Sequence, residues 1–487
     1  MNPHPLLLAP LWSGLGLVAP MQARVSGGVP EGAAGISIDT RTLAAGDLFF
    51  AIAGDNSNGH DHVAQAFENG AAAAVVDEAH AESLRGLGPL YVVGDVLQAM
   101  QRLGLASRAR TRARIAAVTG SVGKTSTKDA LALVLASDGA THASAASYNN
   151  HWGVPLTLAR MPQASRFGVF EIGMNHAGEI TPLVAQVQPH VAIVTTVAPV
   201  HLEHFGSLEA IADAKAEIFS GLAKGGVAII NRDIAQYQLL LEAARASPAR
   251  HVLGFGEHEE AEARLESVEV FPEGTYVQAS VLGQRLRYRM AAPGRHFAEN
   301  SLAVLLAARA MGMDLAKAAL ALEQFRPTAG RGQRAVLHTP QGPFTLIDES
   351  YNANPASMRA ALAVLGTLAL DGTGRRIAVL GDMLELGSNE NALHAELAQV
   401  IGDEKIDLVF AAGPRMRHLY DALPVPMQGG WSASAELLQP IVVEAVRAGD
   451  VVMAKGSNGS RMGPLVKALV RNFPQQAGGG HVPPQAS

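Results

Sequence analysis

The chain reads as an α/β protein of three consecutive domains: a small α/β N-terminal domain, a central P-loop domain on a parallel sheet and a C-terminal Rossmann-like domain. Apolar runs alternate with helix-like stretches in two separate series, one from Arg114 and one after Gly332, and such alternation is the signature of parallel sheets with helices on their faces. At 487 residues, 48% hydrophobic and 17% charged, the chain is also too long for one compact core.

The first domain is placed at residues 1–112. Its apolar start, LLLAPLWSGLGLV, has no Lys or Arg before Arg24 and is interrupted by Pro10, so a short packed helix is expected rather than a signal peptide. DLFFAIAG reads as a strand, His62 to Asn69 as a helix, and the Arg-rich run RARTRAR (108–114) as a linker. The central domain, 113–327, holds the buried runs IAAVTG, FGVFEIG, VAIVTTV and GVAIIN. TYVQASV and RLRYRM flank Leu282-Gly283 as an antiparallel hairpin, followed by a helix over Phe297 to Met311. In the third domain, 328–487, the strands are FTLIDES, RRIAVLGD, DLVFAAG and DVVMAKGS. Asn354 is expected to cap a helix with Pro355 at its first position, where a missing N–H costs nothing. The tail from Pro474, rich in Pro, Gly and Gln, reads as disordered.

A net charge of -6 without long runs of either sign gives no footprint for nucleic acid or an anionic membrane, so small molecules are the expected partners. No stretch supplies the roughly 20 apolar residues of a membrane span. Absence of cysteine fits a reducing, cytoplasmic setting and leaves only oxygen or imidazole to hold a metal.

The strongest local signal is IAAVTGSVGKTSTKD, a buried strand running through a Gly-rich turn into a helix. Backbone N–H groups of Thr119, Gly120, Ser121, Val122, Gly123, Lys124, Thr125 and Ser126 can cradle phosphates, with Lys124 reaching the terminal ones and Thr125 offering its hydroxyl to Mg2+. The usual pattern G-x-x-x-x-G-K-[ST] has Gly where Val118 stands, so the match is partial. Glu171, His201 and Lys215 follow at or after predicted strand ends, where ligands sit in open α/β sheets. Singly each has a dull reading, as a cap, a loop residue and a surface charge; behind a phosphate loop they suggest a second metal position. A P-loop switch or motor is the competing class, with LIDE (346–349) as the strand that ends in the metal-binding acid.

TGSVGKTS, NNHWGVP, EIGMNHAGEI, VAPVHLEHFGS, GRHFAEN, AGRG, DESYNANPASM, GDMLELG and AKGS occur in the order seen in the Mur ligases, which the chain resembles from about Ser37 to Met462. That family lacks the first glycine of the loop pattern, so Val118 fits it. DESYNANPASM, GDMLELG and KGS look most like the branch that adds a dipeptide, D-alanyl-D-alanine. The resemblance implies a monomeric ATP- and Mg2+-dependent ligase that joins this dipeptide to a UDP-N-acetylmuramoyl-tripeptide through an acyl phosphate. It implies metal contacts from Thr125, Glu171, His201 and Lys215, the last as a carbamate, which turns an ammonium into an oxygen ligand. Asn300 and His296 match residues that meet the adenine, Arg331 one that reaches the phosphates, and Asp348 and Tyr351 contacts to ribose and base. Ser37, Asp39, Thr40 and Arg41, with Gly54 and His60, resemble the segment holding the UDP end; Asn150 lies near the muramoyl peptide, and Lys455 and Ser457 would hold the dipeptide carboxylate. RARTRAR and FRPTAGRG would be the hinges of a closing movement.

Overall fold

The computed structural model describes residues 10–54, 57–145, 147–200, 202–370 and 372–474; the tail beyond Pro474 lies outside them. Near the N-terminus the strands Gly35–Ser37, Asp47–Phe50, Ala73–Asp77 and Leu90–Val93 run parallel side by side, and Arg24–Ser26 joins the Leu90–Val93 edge antiparallel. Both sheet faces are covered, which is why these strands read as unbroken apolar runs: Phe50 and Tyr91 pack on one side, Phe49 and Val76 on the other. The apolar start forms the short helix Gly14–Met21, whose first turn is capped by the Ser13 hydroxyl.

The Arg-rich run differs from the expected linker. Arg108 and Arg110 form the last turn of the helix Val96–Arg110, and the strand Arg114–Thr119 begins four residues later. The join is tied down: Arg108 donates to the carbonyls of Val187 and Gln188 at 2.8 and 2.9 Å, and Arg110 lies over the Trp12 ring. Basic residues at a helix C-terminus complement its dipole, a use of charge that sequence spacing cannot tell from a linker. This segment is therefore a packed seam between the first two sheets and no free hinge.

The central sheet has nine strands among the described residues. Thr141–Ala143, Phe167–Glu171, Arg114–Thr119, Val191–Val194, Val227–Asn231, His251–Gly256 and Ala263–Phe271 lie in that order, all parallel. The expected hairpin, Gly274–Val281 and Gln284–Met290, closes one edge antiparallel. Leu282 and Gly283 both have positive φ, 51° and 82°, as a tight two-residue turn requires. The helix Arg295–Ala310 packs across this sheet, with Phe297, Leu302, Leu305 and Leu306 in its core.

The third sheet orders Gln333–Thr339, Gly342–Glu349, Val451–Lys455, Arg376–Gly381, Leu408–Ala412 and Gln428–Ser432; only the first is antiparallel. Asn354 caps the helix Pro355–Gly366 as expected, and Ser357 reciprocates, so two backbone donors at the helix start are satisfied by one short exchange. The chain thus places two parallel sheets in series, with strand ends and following loops of both able to face one space.

Candidate active site

Between the central and third sheets lies a cleft of about 540 Å³. Its floor is the phosphate loop, Ser121 to Ser126, at the start of the helix Lys124–Ala136. The loop needs its glycines: a Cβ on Gly120, at φ 149°, would stand 1.9 Å from the Thr195 hydroxyl, and Gly123 has φ 84°. Thr195 in turn donates to the Val122 carbonyl at 2.6 Å, which fixes the loop from below. Thr119 and Gly120 support the turn and do not line the cleft.

Glu171, buried at the end of its strand, accepts from the Thr125 hydroxyl at 2.6 Å through Oε2 and from Asn149 Nδ2 at 2.7 Å through Oε1. Ser147 Oγ stands 3.3 Å from Thr125 Oγ1 and accepts from Arg331 at 2.8 Å. Thr125, Ser147 and Glu171 thus offer hydroxyl and carboxylate oxygens in one place, the donor chemistry that suits Mg2+. Lys124 folds back on the loop, its ammonium donating to the Gly120 carbonyl at 2.6 Å; burial pushes its pKa down, against the attraction of Glu171. Lys215 is buried in the last turn of the helix Leu208–Ala216, and burial together with the Lys124 charge holds its pKa well below the usual lysine range. His201 lies outside the described residues.

The opposite wall comes from the third sheet. Arg331 lies over the Tyr351 ring, 4.0 Å to the centroid, so one face of that ring is already occupied. Lys455, buried, donates to Glu349 at 3.3 Å and to the Asn352 carbonyl at 2.9 Å. Ser457 donates to the Ala353 carbonyl and accepts from Leu384 N–H, which ties the GDMLELG loop to the cleft. His296 and Asn300, from the helix Arg295–Ala310, complete the lining. Asp348 does not line it: its carboxylate takes Gly330 N–H at 2.8 Å and the Ser350 hydroxyl at 2.6 Å, and so organises the loop behind. Successive residues of a strand point to opposite faces, and it is Glu349 that faces the cleft. The same geometry removes LIDE as the metal-binding strand of a switch or motor, because the acid that meets Thr125 is Glu171.

Two further groups of expected residues do not line this cleft. Asn150 accepts from Gly153 N–H at 2.9 Å, at the start of the helix Gly153–Ala159; its neighbour Asn149 is the one that reaches Glu171. Ser37, Asp39, Thr40 and Arg41 form a turn outside the cleft, in which Asp39 and Arg41 make a forked ion pair and Ser37 bonds the Asp39 backbone. Gly54 donates its N–H to the Ser57 carbonyl. His60 is buried, its Nε2 accepting Asp77 N–H, so this ring is spent on the fold. Ser147, Asn149, Thr195 and Glu349 escaped sequence reasoning, although Asn149 lies within the NNHWGVP segment.

A phosphate loop that faces polar loops of a second Rossmann-like sheet defines an ATP-dependent ligase architecture. The sequence matches the Mur ligase family, catalytic domain, over residues 33–108, the Mur ligase middle domain over 118–308 and the Mur ligase, glutamate ligase domain over 330–458. The chain belongs to the Mur ligase family. It is 32% identical to UDP-N-acetylmuramoyl-tripeptide--D-alanyl-D-alanine ligase of Rickettsia prowazekii over 431 residues, 88% of this chain and 94% of that one. To the Bacillus subtilis protein of the same name it is 33% identical over 442 residues, 90% and 93% of the two. Among solved structures, MurF from Acinetobacter baumannii has a TM-score of 0.80 at 27% identity, covering 94% of this chain and 99% of that one. MurF ligase from Thermotoga maritima in complex with ADP shares the fold, with a TM-score of 0.74 at 23% identity over 90% and 97% of the two chains.

Proposed function

We propose that this chain joins D-alanyl-D-alanine to a UDP-N-acetylmuramoyl-tripeptide at the expense of ATP, as a monomer in the cytoplasm. The observation that carries the reading is the single cleft in which the phosphate loop and the Thr125–Glu171 pair face Lys455 and Ser457. No described helix is long and apolar enough to cross a membrane.

A carboxylate and an amine do not condense in neutral water, so the carboxylate must first gain a leaving group. The tripeptide carboxylate attacks the γ-phosphorus of ATP and ADP departs, leaving an acyl phosphate; positioning and charge neutralisation do most of this work. Lys124 would turn from the Gly120 carbonyl to the terminal phosphates, and Arg331 would lend its charge from the other wall. Thr125, Glu171, His201 and a carbamylated Lys215 would hold Mg2+, which neutralises phosphate charge when bound. Asn300 and His296 would meet the adenine, with Tyr351 beside it. The dipeptide amine then attacks the acyl carbon, loses a proton and expels phosphate, while Lys455 and Ser457 hold the far carboxylate. Ser37, Asp39, Thr40 and Arg41 would take the UDP end.

The test is a mass assay of product with ATP, D-alanyl-D-alanine and two UDP-tripeptides, ending in lysine or diaminopimelate. Phosphate release should require both the tripeptide and the dipeptide, and Lys124→Ala should abolish it in a folded protein. Release with neither acceptor, or full turnover by the Lys124→Ala chain, would overturn the reading.

A further inference from the structure

A second basin, of about 700 Å³, opens at the other end of the central sheet, and nothing in the ligase reaction uses it. It is lined by Arg110, Arg112, Arg114 and Arg166, with Gln163 and Ser165 between them, and no acidic residue is among the described residues that form its wall. Arg114 opens the strand whose far end carries the phosphate loop, so about 17 Å of extended chain separates the two places.

The charges are poorly compensated. Arg166 pairs with Asp138 at 2.7 Å, but Lys317 claims the same carboxylate at 2.6 Å. Among the described residues the Arg114 side chain bonds the Ala310 carbonyl, at 3.0 Å, and neither it nor exposed Arg112 has an ion pair. Arg110 is held on Trp12 and complements the end of its helix, which accounts for one guanidinium of the four. Four like charges around one hollow repel one another, an odd concentration in a chain whose net charge is -6.

We propose that this basin is a binding site for a small polyvalent phosphate of the pyrophosphate or tripolyphosphate class. Its volume is that of a small-molecule site, and guanidinium forks match phosphate oxygens two at a time. Its one aromatic residue, Phe167, is buried, so the wall offers charge and hydrogen-bond donors and no platform for a base. Arg110 comes from the first domain's last helix, and Arg114 and Arg166 from the starts of two neighbouring strands of the central sheet, so a bound anion bridges the seam between them.

Isothermal titration of inorganic tripolyphosphate into the full chain, without Mg2+, tests this. The Lys124→Ala chain, its phosphate loop impaired, should still bind one equivalent, with an affinity that falls at least tenfold when Arg112→Gln/Arg114→Gln is added and falls with added salt. Both arginines are exposed, and the unpaired Arg112→Gln alone, checked by its melting temperature, should still weaken binding several-fold. Binding lost in Lys124→Ala would place the anion in the cleft and overturn the proposal. So would binding unchanged in both arginine variants, no binding by the unsubstituted chain, or tighter binding of a free tricarboxylate than of tripolyphosphate.

Discussion

Thr125 and Glu171, on adjacent elements 46 residues apart in sequence, share a hydrogen bond of 2.6 Å with the hydroxyl donating to the buried carboxylate. Asn149 occupies the other carboxylate oxygen, so Glu171 is oriented on both sides before any ligand arrives. Such preorganisation is how a site stabilises developing charge without rearranging at the moment of reaction. Glu171→Gln keeps the volume and removes the charge. Turnover should fall by about a hundredfold or more, with a higher Mg2+ concentration needed for half-maximal rate and little change in melting temperature. Normal turnover at low Mg2+ would separate Glu171 from the metal.

Lys455 is held by Glu349 and the Asn352 carbonyl, so a dipeptide carboxylate would have to share this ammonium with Glu349. Lys455→Ala should raise the dipeptide KM about tenfold or more, a charge-assisted bond being worth roughly 1.5–3 kcal/mol, and leave the KM for ATP nearly unchanged. Equal effects on both constants would point instead to a general collapse of the wall that Glu349 and Lys455 support.

Two pairs of neighbours show what sequence reasoning cannot separate, and the reason is physical. Asn149 and Asn150 are chemically identical, and only the folded loop decides that one reaches Glu171 and the other takes Gly153 N–H. Asp348 and Glu349 are both acids at a strand end, and pleat alternation sends one behind the sheet edge and one into the cleft. Sequence does carry the features whose physics is local: the glycines of the phosphate loop, the two-residue turn at Leu282-Gly283 and the cap at Asn354. RARTRAR belongs to neither group, since the partners of its arginines lie some 50 to 200 residues away.

Stability should decline in mild acid. Burial lowers the pKa of His60, His142, His190, His296 and His394 below the ordinary histidine value. In three of them a ring nitrogen also accepts a backbone N–H, from Asp77, Ile115 and Met383, a bond that protonation would remove. With folded pKa values below the unfolded one, the unfolded chain takes up protons first. The stability they contribute is complete above the unfolded value, about 6.5, and is lost as pH falls through it toward the lower folded values. The melting temperature should drop steadily between pH 7.5 and pH 5.5, a range chosen to bracket that value; a flat or rising profile would contradict this.

Lys215 poses the sharpest charge problem. It is buried and close enough to Lys124 for their charges to oppose each other, and both effects drive its pKa well down. A cationic lysine there would repel the metal and work against the phosphate-binding charge of Lys124. Carbon dioxide adds only to a neutral amine, so the conditions that discharge Lys215 also favour its carbamate, whose anionic oxygen can face a cation. Lys215→Ala should lose about a hundredfold or more of the rate, as for removal of a preorganised charge, and added formate or acetate should restore part of it by supplying the missing oxygen. In the unsubstituted chain, carbon-13 bicarbonate should give a protein-bound carbamate resonance that disappears in Lys215→Ala. If Lys215 were only a packing residue, Lys215→Met would keep full rate and no short carboxylate would matter. A full-rate Lys215→Met chain, or an unsubstituted chain with no carbamate signal, would end the assignment.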